Sequence, residues 1–275
     1  MDNRKGTTIM TKDNDELNII ANYHTHTTRC RHACGEDREY VEAAIETGLK
    51  ILGFSDHTPY PTGTGFRSGM RILPEDVDGY FQSISDLKDE YKNDIEIHIG
   101  VEAEYFPEHF HKLLDLMKDY PLEYMILGNH FVPDEQHGIY VGCAFKDKLY
   151  LEQYTENVIA GIESGKFAYV AHPDLPLYVG EDSDKALSEA YRSICKSAKE
   201  HNVPLEINML GHTRGIQYPS DKFFSIAGEY GNDVIIGMDI HNPKDFGNTK
   251  ALKYCVDLAD KYNLNLLRTL EFNTL

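Results

Sequence analysis

LNIIANYHTH, residues 17–26, is a short apolar run that ends in two histidines spaced two apart. The apolar part, LNIIANY (17–23), has the length and β-branched content of a buried strand. Six further runs of this kind follow: ILGFSD (51–56), IEIHIGVE (95–102), YMILGN (124–129), FAYVAH (167–172), VPLEINML (203–210) and VIIGMDIH (234–241). Between them lie amphipathic helical stretches. EDREYVEAAIETG (36–48) stops at a glycine, and LPEDVDGYFQSISDLKDEYKND (73–94) starts near a proline. PEHFHKLLDLMKDY, KLYLEQYTENVIAGIESG, SDKALSEAYRSICKSAKEHN, DKFFSIAGEYG and PKDFGNTKALKYCVDLADKY continue the alternation, before an eighth apolar run, LNLLRTL (264–270). Strand then helix, repeated about seven times, means parallel strands joined by crossover helices. Seven or eight units in one chain of 275 residues predict a single (β/α) barrel domain over residues 1–275, with 1–16 a loose polar tail. An open doubly wound sheet is the alternative, but no Gly-rich phosphate loop follows the first run.

The histidines and acids fall at the ends of the runs. His24 and His26 follow the first, His57 ends the second and Glu102 the third. His130 ends the fourth, His172 the fifth, and Asp239 and His241 the seventh. In a parallel barrel these C-terminal ends meet on one face, where active sites sit. Residues two apart on a strand point the same way, so each pair can aim at one centre. Eight or nine donors exceed the four of one zinc and suit two or three zinc, manganese or iron ions with a bridging carboxylate. Such ions polarise a phosphoryl or carbonyl oxygen and generate a hydroxide nucleophile near neutral pH.

Composition narrows the class. The formal net charge of -18 disfavours nucleic acid and an anionic membrane surface as partners. No apolar run reaches membrane-spanning length and no secretory h-region opens the chain. Five cysteines, an odd number, make no disulfide framework, which predicts a reduced, cytoplasmic location.

Other histidines have plainer readings. CRHAC (30–34) resembles half of a zinc finger, but no second pair follows at finger spacing, so His32 reads as a loop ligand and Cys30 and Cys34 have no role. His98 reads as a buried, hydrogen-bonded core residue. Glu104, two beyond Glu102, is the rival ligand. His109, His111, His137, His201 and His212 read as solvated or substrate-side, with His212 the best candidate of these.

The ordered set HTH (24–26), SDH (55–57), GVE (100–102), GNH (128–130), AHPD (171–174) and MDIH (238–241) resembles the PHP (polymerase and histidinol phosphatase) superfamily. The contexts FSDHTPYP, IGVEAEYFPE, LGNHF and EINMLGH are similar to its monofunctional histidinol-phosphatase branch. The last motif departs from the usual SDAH, with Met238 and Ile240 around the acid. The resemblance implies a distorted (β/α)7 barrel with three divalent ions. One would take His24, His26, Glu102 and Asp239. The second would take Glu102, His130 and His172, and the third His32, His57 and His241.

It also implies hydrolysis of a small phosphomonoester, L-histidinol phosphate, in histidine biosynthesis. Glu102 would hold the nucleophile, while Asp239 or a nearby histidine, His241, would serve the leaving group. Arg214, just past the sixth run, is the first candidate for the phosphate, ahead of Arg67 and Arg71. Glu104 is a candidate for a cationic group of the substrate. Three other readings stand beside this one. A PHP-type phosphoesterase could act on another small phosphate ester, whereas a PHP-type nuclease is disfavoured by the net charge of -18. A metal-dependent amidohydrolase is disfavoured because no lysine sits at a strand end. The non-enzymatic alternative is a metal-binding regulatory module.

Overall fold

The computed structural model describes residues 17–60 and 62–272; the expected N-terminal tail, 1–16, lies outside them. Seven parallel strands carry the barrel: β1 (Ala21–Asn22), β2 (Ile51–His57), β3 (Glu96–Ala103), β4 (Tyr124–Leu127), β7 (Tyr169–Val170), β8 (Leu205–Asn208) and β9 (Asp233–Gly237). A hairpin of β5 (Phe131–Val132) and β6 (Ile139–Tyr140) is inserted after β4. The sheet order is β1-β2-β3-β4-β7-β8-β9, with β10 (Asn265–Leu266) on the far edge.

Closure is uneven, which is the distortion. At the C-terminal face the first run meets the seventh: Thr25 pairs with Ile240, and His26 N donates to Ile240 O at 2.9 Å. At the opposite end β10 takes the edge of β9, Asn265 pairing with Asp233. The eighth apolar run thus supplies only two paired residues. The chain beyond it plugs the lower mouth, where the Phe272 ring stacks on Tyr124 at 4.6 Å.

The helices are α1 (Asp37–Glu46), α2 (Val77–Glu90), α3 (Phe110–Met117), α4 (Lys148–Glu163), α5 (Ser183–His201), α6 (Met209–Arg214), α7 (Asp221–Tyr230) and α8 (Thr249–Lys261). Local chemistry sets their ends. Glu36 and Glu39 form a reciprocal capping box at the start of α1, and Gly48, at φ +90°, follows its end. The main core lies between the outer face of the sheet and this helix layer. A smaller cluster of Ala21, Tyr23, Tyr124, Ile126, Tyr169, Ala171 and Ile235 fills the barrel interior.

Two expectations need correction. The run 203–210 is a strand only to Asn208. The Asn208 side chain accepts from Gly211 N at 3.0 Å and starts helix α6, because an N-cap amide competes with continued extension. His98 is hydrogen-bonded but only half-buried. It sits at the lower mouth between Glu96 and Glu123, where the barrel is open enough for solvent to reach it.

No helix among the described residues is long and apolar enough to cross a membrane.

Candidate metal centre

The strand ends deliver the expected residues to one place. β2 and β3 are in register, so His57 lies directly beside Glu102. On β4, Tyr124 and Ile126 face the interior, and two further steps of the same parity bring His130 inward. His172 breaks its own strand's parity. Tyr169 and Ala171 already face in, so regular alternation would turn residue 172 outward; a φ of +29° turns it back. Asp239 also occupies the left-handed region, at φ +53°. Non-glycine residues seldom sit there, and such strain collects at functional sites.

The first group is tight. His24 Nε2 and His26 Nε2 are 3.1 Å apart, and Glu102 Oε2 is 3.4 Å from each. Asp239 Oδ1 is 3.4 Å from His24 Nε2 and 3.2 Å from His26 Nε2. In the second group Glu102 Oε1 is 3.0 Å from His172 Nε2 and 3.6 Å from His130 Nε2. Glu102 therefore faces both groups, one oxygen to each. In the third, His32 Nε2 and His241 Nε2 are 2.9 Å apart, and donor atoms of His57, His26 and His241 lie within 4.8 Å of one another.

These spacings fit divalent cations. Ligands about 2.0–2.1 Å from a tetrahedral ion stand about 3.3–3.4 Å apart. Two neutral imidazole nitrogens facing each other at 3 Å repel unless a proton or a cation lies between them. Asp239 Oδ1 is buried, points among these nitrogens and accepts no hydrogen bond among the described residues.

The electrostatics are those of a cation site. Burial alone would lower the His24 imidazole, but Asp239, Glu206 and Glu102 overcome it and pull it up to about 10. Burial would raise Glu102, yet the surrounding His57, His24 and His130 hold it well below the usual carboxylate range. His32 is pushed down to about 4 by burial and by His241 and His26. The carboxylates thus draw positive charge to one end of the cluster, and the histidines at the other end stay neutral and free to ligate.

Several supporting residues were not singled out from sequence. Glu206 Oε1 lies 2.6 Å from His24 Nδ1, and its Oε2 accepts from His172 N at 2.8 Å. Asn208 Nδ2 donates to Glu206 Oε2 at 2.9 Å and to Asp239 Oδ2 at 3.1 Å. Asp56 Oδ1 is 3.4 Å from His26 Nδ1. These partners fix ring orientation and leave Nε2 for the centre. Gly237 makes room: a Cβ there would overlap Glu206 Oε1. The one signal in the sequence was a carboxylate and an amide two apart inside an apolar run. Tyr218 and Tyr140 flank the cluster, their rings 5.8 Å from His172 and 6.2 Å from His130.

The expected substrate residues separate. Arg214 is exposed at the end of α6, and its charge reaches Tyr140, Tyr218 and Asp245 on the rim. His212 stacks on Tyr254 with ring centroids 3.7 Å apart, a contact that belongs to α8. Arg67 is exposed and paired with Glu75. Glu104 is engaged elsewhere than among the clustered nitrogens. It pairs with the buried Arg71 and accepts from His130 N and Phe131 N at 3.0 and 3.1 Å. Arg71 also holds Glu135 at 2.6 Å and is 1% exposed. Removing one charge from such a pair leaves the others buried and unpaired. Arg71→Met is accordingly expected to destabilise the protein by about 3–5 kcal/mol in urea unfolding. A loss under about 1 kcal/mol would show that water reaches Glu104.

Comparison with known proteins gives the family. The PHP domain model matches residues 22–209. The probable histidinol-phosphatase of Deinococcus radiodurans is 26% identical over 246 residues, 83% of this chain and 88% of the relative. The histidinol-phosphatase of Bacillus subtilis is 26% identical over 255 residues, 82% and 94% of the two chains. Among solved structures, a histidinol phosphate phosphatase from Lactococcus lactis, complexed with zinc, L-histidinol and phosphate, aligns with a TM-score of 0.70 at 19% identity. That alignment covers 92% of this chain and 99% of that one, and it shows the shared fold. With a distorted seven-stranded barrel, histidines and carboxylates converging at its C-terminal face, and a family match over most of its length, this chain belongs to the PHP domain family.

Proposed function

We propose that the protein is a metal-dependent phosphomonoesterase, a single barrel domain that hydrolyses L-histidinol phosphate to L-histidinol and phosphate. One observation carries this reading: nine side chains from the strand ends and the first loop bring their donor atoms into one cluster. The curated relatives named for the same reaction support it.

His24, His26, Glu102 and Asp239 would hold one ion, Glu102, His130 and His172 a second, and His32, His57 and His241 a third. Zinc, manganese and iron all suit this donor set. Bound ions supply Lewis acidity toward the phosphoryl oxygens and lower the pKa of attacking water.

The chain's own residues do the rest. Glu102 bridges two groups and fixes the distance between them. Arg214, at the open rim, clamps phosphate oxygens in bidentate fashion. Tyr140 and Tyr218 wall the entrance and exclude bulk water. Asp239 and His241, with Oδ1 and Nδ1 3.3 Å apart, form the pair that would pass the proton released by the attacking water on to the leaving alkoxide. No disulfide joins any of the five cysteines.

The test is phosphate release from L-histidinol phosphate against a panel of phosphomonoesters and one phosphodiester. A strong preference for histidinol phosphate is expected. Faster release from another ester overturns the substrate, and preference for the diester overturns the class. Glu206→Gln is expected to weaken metal binding about 10–100-fold in chelator competition, since it removes the charge that orients His24. Unchanged affinity would make Glu206 a packing residue only.

A further inference from the structure

Cys30 is buried at 0% exposure, yet it belongs to neither apolar core cluster, unlike Cys195 and Cys255. It ends a single turn of 3-10 helix, Thr28–Cys30, that directly follows His26. Its Sγ and ligand nitrogens of His32 and His241 lie within 4.8 Å of one another; it forms a second such group with His26 and Asp56. The turn is pinned on both sides. Thr27 accepts from Arg29 N at its start, and His32 Nδ1 lies 2.8 Å from Cys30 O at its end. That contact turns His32 Nε2 toward His241. A thiol enclosed by imidazoles and a carboxylate is placed for ligation rather than for packing.

We propose that Cys30 is a thiolate ligand of the ion held by His32 and His241. The inference rests on the metal-centre reading above and adds sulfur to one position of it. Binding there breaks the S–H bond and releases the proton to solvent, with no change of oxidation state. A mixed nitrogen and sulfur position is softer than the carboxylate-rich first position. It therefore prefers zinc, cobalt or ferrous iron over manganese or magnesium. One polynuclear centre would then hold two unlike positions.

Cobalt(II) reports this directly, because only a thiolate ligand gives an intense near-ultraviolet sulfur-to-cobalt charge-transfer band. The experiment uses the full chain, stripped and reloaded with stoichiometric cobalt, as wild type, Cys30→Ser and Cys34→Ser. The band is expected in wild type, retained in Cys34→Ser and lost in Cys30→Ser, which should also hold one ion per chain fewer after dialysis against a weak chelator. A fully loaded wild type without the band overturns the proposal, and so does a band that survives in Cys30→Ser. The wild-type spectrum decides even where the serine variant folds poorly. Phosphate release from L-histidinol phosphate is measured on the same samples. Release without the band removes the thiolate and leaves the phosphatase; the band without release removes the phosphatase and leaves the thiolate.

Discussion

A Glu102→Gln variant is expected to lose at least about a thousandfold in kcat/KM for phosphate release, a cost of about 4 kcal/mol in transition-state stabilisation. The reason is geometric. Glu102 Oε2 is 3.1 Å from His57 Nδ1 and 3.4 Å from both His24 and His26, and Oε1 faces His172 and His130. Five imidazoles share one carboxylate. Glutamine keeps the volume, so the substitution isolates charge. It also turns one acceptor into a donor facing ring nitrogens or cations. There is no space to relax: a Cβ at Gly128 would lie 1.8 Å from Glu102 Oε1, so the carboxylate already fills the gap that glycine leaves. The measurement is steady-state phosphate release with metal content assayed and the thermal midpoint checked. A folded, metal-loaded variant within about tenfold of wild type would remove Glu102 from its bridging place.

The arrangement was legible in outline because it depends on strand ends. A barrel strand must be apolar along its buried length and can turn chemical only where it emerges, so polar residues closing six of the seven apolar runs marked both fold and face. Ligand pairs two apart, His24 with His26 and Asp239 with His241, followed from strand alternation. What alternation could not reach is where the chain departs from it. His172 points inward only through a positive φ, and His24 faces the centre although Ala21 and Tyr23 already face in. There Asn22 interrupts the alternation, its side chain bonded to both the N–H and the carbonyl of His24.

Partners joined across the barrel were equally invisible. Glu206 and His24 are 182 residues apart, and nothing local to either announces the 2.6 Å contact. Arg71 read as a candidate for the phosphate for the same reason: its partners Glu104 and Glu135 lie on two other segments. The resemblance to a family supplied the grouping of ligands, which composition and spacing alone left open.

Metal removal should act on stability and on pH dependence together. An ion at about a thousand times its Kd contributes about 4 kcal/mol to folding. In a domain of this size that is about 10 °C in Tm, so chelation should abolish phosphate release and lower Tm by about that much per tightly held ion. The sign of the pH effect follows from His24. In the metal-free protein its imidazole is raised from 6.5 to about 10, against the lowering effect of burial, by Asp239, Glu206 and Glu102. A group raised on folding contributes stability that is full below its unfolded value and is lost as pH rises through the folded one. The stripped protein therefore weakens between about pH 6.5 and 10. The loaded protein is level over the same window, because its ion has already displaced that proton: it is held about tenfold more tightly per pH unit, which offsets the loss seen in the stripped protein. The gap in Tm between loaded and stripped protein should thus widen steadily from about pH 6.5 upward, as differential scanning calorimetry at matched free metal would read it. A gap that stays constant with pH would mean that binding displaces no proton from His24, and the first ion would have to be placed elsewhere in the cluster.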